Sequence, residues 1–142
     1  MSIEIFETAL DNAPNGGRKV ERELRRVLCA GINERISNAP ALGYSVRLSA
    51  NTFVAFRPWV PVHPDFQDAP PPKGYLTATV CLHSNPIAYV AHGGRVRVDI
   101  GTYRDWRTST ARSRLRALGV DLDALDETLG LKGTKIDRIR RA

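Results

Sequence analysis

Residues 75–100, YLTATVCLHSNPIAYVAHGGRVRVDI, decide how this chain folds. Three runs with strand character, Tyr75–Leu82, Ile87–Ala91 and Arg95–Ile100, are separated by His83-Ser84-Asn85-Pro86 and His92-Gly93-Gly94. Both separators are rich in turn formers. The last run alternates most cleanly: Val96, Val98 and Ile100 fall on one side, Arg95, Arg97 and Asp99 on the other. Short turns between such runs predict an antiparallel meander. Upstream, Tyr44–Leu48 and Thr52–Phe56 flank a turn at Ala50-Asn51 and predict a hairpin. The expected sheet therefore has about five strands.

Helices are expected on either side of these strands. Val20, Leu24, Val27, Leu28, Gly31, Ile32 and Ile36 recur at helical spacing, so an amphipathic helix is expected over 18–37, basic in its N-terminal half. Ser109 or Thr110 can cap a helix through Leu115 that ends at Gly119. Asp121 or Asp123 can cap a second, through Leu125, that ends at Gly130. The fold class is α+β, with helices on one face of the sheet and a C-terminal αα-hairpin. Residues 1–17 read as a lead segment. Residues 58–74 carry six prolines and read as a long loop, where proline's missing N–H forbids a central strand. The basic tail 132–142 reads as a frayed or disordered end. The whole forms one domain of 142 residues.

The net charge is +6, and 17 of the 21 basic residues are arginine. A basic surface favours acidic partners, and arginine forks onto phosphate. A GC-rich coding sequence gives the same bias without any function. Cys29 and Cys81 read as free, buried thiols of a reducing compartment. The start Met1-Ser2-Ile3-Glu4 lacks the pattern of a secretion signal, and no apolar run reaches the ~20 residues of a membrane helix. A cytoplasmic protein without membrane contact is expected.

No pattern points to catalysis or to a cofactor. His63, His83 and His92 have no Cys or His at metal-ligand spacing, and the last two sit in turns at opposite ends of one strand, where solvent exposure is expected. Neither a Gly-x-Ser-x-Gly elbow nor a phosphate-binding loop is present. Asp121, Asp123, Asp126 and Glu127 are explained by capping and the helix dipole. The strongest surface signal is arginine. Arg95, Arg97, Arg104, Arg107, Arg112 and Arg116 form a candidate nucleic-acid surface, with Thr108, Ser109 and Thr110 at a helix start and Tyr103 and Trp106 able to stack on bases. The same residues also read as a solvated helix with Trp106 anchoring the corner in the core. A helix-turn-helix reading of the last two helices conflicts with the acids of the second, which phosphates repel. Trp59 and Phe66 of the proline-rich loop are candidate anchors for a protein partner.

Residues 80–115 carry a further pattern: Val80-Cys81-Leu82-His83-Ser84-Asn85-Pro86-Ile87-Ala88, an alternating strand, then Trp106-Arg107-Thr108-Ser109-Thr110-Ala111-Arg112-Ser113-Arg114-Leu115. It resembles a family of small proteins of tailed phages and prophages, many from GC-rich actinobacterial hosts. Those proteins often carry Asn after the final Arg-Leu pair, where this chain has Arg116. The resemblance covers about a quarter of the chain. It implies a non-enzymatic accessory role in the host cytoplasm, host takeover or anti-defence, exercised by binding a host protein. Nucleic acid is the alternative partner and a small enzyme the third reading. Neither cofactor nor metal is implied.

Overall fold

The computed structural model describes residues 6–14, 16–33, 43–58 and 75–133. In chain order these form β1 (Glu7–Ala9), α1 (Lys19–Asn33), β2 (Tyr44–Arg47), β3 (Thr52–Pro58), β4 (Leu76–Leu82), β5 (Asn85–Ala91), β6 (Arg95–Val98), α2 (Ile100–Asp105), α3 (Ser109–Ala117) and α4 (Leu122–Thr128), with a single 3-10 turn at Leu10–Asn12. The strands make one antiparallel sheet in the order β1-β6-β5-β4-β3-β2. The meander and the hairpin stand where the alternation put them. Trp59, Phe66 and His63 lie outside the described residues, as do positions 34–37 of the expected first helix and most of the basic tail.

The sheet has one strand more than expected, because the lead contains β1. Three residues give too little alternation to signal a strand. β1 is recognisable only by its partner: Glu7, Thr8 and Ala9 pair with Arg97, Val96 and Arg95. The run 95–100 is also shorter than expected. Its ladder stops at Val98, and Asp99 accepts a hydrogen bond from the Thr102 N–H at 3.0 Å, opening α2. An Asp cap followed by Gly101 and Thr102 outcompetes continued strand at Ile100.

Local chemistry accounts for the joints. His83 and Ser84 both adopt positive φ (51° and 70°), as a two-residue hairpin turn requires. The register slips by one between Val80 and Cys81, leaving Ile87 as the extra residue of a bulge. That bulge tolerates Pro86 in an interior strand, where a missing N–H would otherwise break the ladder. Thr108, not Ser109 or Thr110, caps α3 by accepting from the Ala111 N–H; Asp121 caps α4. Gly119 ends α3 at φ +89°, with the Val120 N–H donating to the Leu115 carbonyl and the Gly119 N–H to that of Arg116.

The core lies between one sheet face and the helices. Val54, Phe56, Val80, Ala88, Val90 and Val96 meet Leu24, Leu28, Ile32, Leu115, Leu118 and Leu125 there, all fully buried. α1 packs on α3 and β4, and α3 packs on α4, so the helical layer runs α1, α3, α4. Gly31 is required where α1 crosses Phe56: a Cβ there would stand 2.1 Å from the ring.

Candidate functional site

The connection from β6 to α3 turns a sharp corner, and a polar cluster holds it. Tyr103 on α2, Arg107 in the connection and Arg112 on α3 converge on the Asp126 carboxylate of α4. Arg107 forks onto it, Nε to Oδ1 at 3.0 Å and Nη2 to Oδ2 at 2.7 Å. Arg112 Nη1 donates to Oδ2 at 2.7 Å, and the Tyr103 hydroxyl to Oδ1 at 2.6 Å. That hydroxyl accepts in turn from Arg112 Nη1 at 2.9 Å. Asp126 and Arg107 are 4% and 6% exposed.

Burial alone would raise the pKa of Asp126. Hydrogen bonds from Arg107, Tyr103 and Arg112 outweigh it and hold the carboxyl at about 2. The same bond to Asp126 keeps Arg107 firmly protonated. Burial, and then the bond to Asp126, push the Tyr103 hydroxyl above its ordinary value. Two cations, one carboxylate and a neutral phenol leave the cluster with one excess positive charge. These bonds join α2, the connection after it, α3 and α4 at one carboxylate, so the cluster can act as a structural clamp.

The clamp corrects the expected role of Trp106. The residue buried at the corner is Tyr103, and Trp106 is 39% exposed. The phenol can be buried because its hydroxyl finds Asp126, whereas the indole lies one step past the end of α2, facing outward. Arg104 and Asp105 beside it are also exposed.

The six candidate arginines fall in three settings. Arg107 and Arg112 meet at Asp126. Arg95 and Arg97 project from β6 on the side opposite Val96 and Val98, and both bond Glu7 of β1. Arg95 Nε to Oε2 is 2.7 Å and Arg97 Nη2 to Oε1 is 2.6 Å. The Arg95 hydrogen bond chiefly lowers the pKa of Glu7. Arg104 on α2 and Arg116 on α3 are exposed. A third internal arginine is Arg114, whose Nε donates to the Thr52 hydroxyl while Nη1 donates to Ser113. Sequence reading missed Glu7 and Asp126 as counter-charges. Asp126 had been explained by helix electrostatics, and Glu7 belonged to an unassigned lead.

The cysteines, His83 and His92 lie apart from the clamp. Cys81 is buried, but Cys29 is exposed on α1, against expectation, because it falls off the stripe Leu24-Leu28-Ile32. His83 is exposed in its turn, while His92 is half-buried, stacked on Tyr75 at 3.8 Å with Nδ1 3.0 Å from the Ile32 carbonyl. Among the described residues no three His, Cys, Asp or Glu side chains are grouped to hold a metal ion, and no helix is long and apolar enough to cross a membrane.

Fold and site together define an α+β domain with a clamped corner that presents a tryptophan. Comparison with protein-family models, with curated proteins and with solved structures finds no match to this chain.

Proposed function

We propose that this chain is a non-enzymatic accessory protein of phage type that acts by binding a host protein, with Trp106 as an anchor. The observation that carries this reading is the exposure of Trp106 on a corner fixed from behind by the Asp126 clamp. Tryptophan and arginine dominate the energetics of protein interfaces, and a rigid mount lowers the ordering cost of binding. Exposed Arg104 and Asp105 supply polar groups for the rim. The engagement of Arg95, Arg97, Arg107 and Arg112 with Glu7 and Asp126 weakens the competing idea that residues 95–116 coat a nucleic acid.

Quantitative affinity capture from an actinobacterial host lysate tests this. A specific protein partner should be recovered with the wild type and reduced about tenfold or more by Trp106→Ala, the loss typical of an interface hot spot. Far-UV circular dichroism should remain unchanged, since the indole is not in the core. Equal recovery with both proteins discards the corner as the binding surface. Trp59→Ala/Phe66→Ala in the same capture examines the anchors that the sequence alone suggested.

A further inference from the structure

The densest row of exposed positive charge among the described helices lies on α1, and we infer that the outer face of this helix is a second binding site, for duplex nucleic acid, gripping phosphates without reading sequence. Leu24, Leu28 and Ile32 turn to the core, and Glu21 turns inward with them, accepting from the Ser113 hydroxyl of α3 at 2.9 Å. Arg18, Lys19, Arg22 and Arg26 remain exposed. Arg18, immediately before the helix, and Arg22 and Arg26 within it follow at intervals of four, one row with steps of about 6 Å. The acid beside this row is Glu23, which bonds Arg26 at 2.7 Å.

Helix electrostatics does not account for this placement. Cations in the first turn oppose the macrodipole, which favours acids there. Glu23 offsets part of the unfavourable placement of Lys19 and Arg22, and an approaching anion would relieve the rest.

The chemistry of the face selects the ligand. A bilayer surface needs an apolar helix face to insert, and the apolar face of α1 is consumed by the core. A protein interface needs aromatic or large aliphatic anchors, and the exposed large hydrophobic residues among those described, Tyr44 and Trp106, are not on α1. A single strand is held by base stacking, and α1 contains no aromatic residue. Arginine forks with nothing to stack fit the regular phosphates of a duplex.

The experiment is fluorescence anisotropy of a labelled mixed-sequence duplex of about 20 base pairs, titrated with the intact protein from about 25 to 200 mM salt. Four phosphate contacts predict a log–log salt slope of about −3 to −4 and similar affinity for unrelated sequences. Lys19→Glu/Arg22→Glu should lower affinity at least about tenfold and flatten the slope by about 2, while its far-UV circular dichroism stays unchanged. Arg95→Gln/Arg97→Gln and, separately, Trp106→Ala should bind duplex as the wild type does, so this site and the corner fail or survive independently. The inference is overturned if the wild type does not bind at the lowest salt, if the α1 variant binds normally, or if phosphatidylserine vesicles capture the protein in preference to the duplex.

Discussion

Arg107 and Arg22 carry the same side chain in two opposite settings. Arg107 lies at the corner after α2, buried, forked onto Asp126 and backed by Tyr103 and Arg112. Arg22 stands on the open side of α1, exposed, in a row with Arg18 and Arg26. The first setting converts charge into architecture: the guanidinium gives its directional donors to one carboxylate and ties α4 to the α2–α3 corner. The second leaves the charge facing solvent, where salt screens it and where a polyanion can reach it. Composition counts the two alike, so a basic chain need not have a basic surface where its arginines are densest.

Removing the clamp's anion should break this contrast most severely. Asp126→Ala strands two guanidiniums, and a buried pair broken on one side costs about 3–5 kcal/mol. Urea denaturation should show that loss, whereas charge removal at Arg22 should barely move the midpoint. If both cost the same, the clamp is no more than a surface ion pair.

Acid sharpens the comparison next. The hydrogen bonds hold the Asp126 carboxyl at about 2 in the folded protein, against 3.8 for a solvated aspartate as in the unfolded chain. Its contribution to stability is fully present above about pH 4 and is lost as pH falls from 4 towards 2, a swing of about 2 kcal/mol. Asp126→Asn should remove that part of the acid dependence. A wild-type stability that is flat from pH 4 to pH 2 would contradict the clamp.

The smallest effect is expected at α1. Lys19→Glu places an acid in the first turn but sets it four residues from Glu23 as a like-charge pair, so the two effects oppose and stability should change by no more than about 0.5 kcal/mol at low salt. Thermal melts in low and high salt check that near-cancellation.

Much of the fold was legible because periodicity is a local property. The alternation of Arg95–Val98 and the stripe Leu24-Leu28-Ile32 each announce an element and its buried side. β1 was not legible, since three residues carry no period and Glu7 pairs with residues 88 and 90 positions away. Trp106 was misplaced for a related reason. Tyr103 and Trp106 both fit a buried anchor by composition, and what separates them is a carboxylate 23 positions from the tyrosine.

The sequence by itself determined an α+β chain with an antiparallel meander, an amphipathic basic helix and a capped pair of C-terminal helices, because hydrophobic period, turn residues and caps act over a few neighbours. Only the tertiary structure decided which arginines are internal and which face solvent. That choice depends on partners arriving from distant parts of the chain, Asp126 for Arg107 and Arg112 and the Thr52 hydroxyl for Arg114, because a charge is buried only where groups that satisfy it are already waiting.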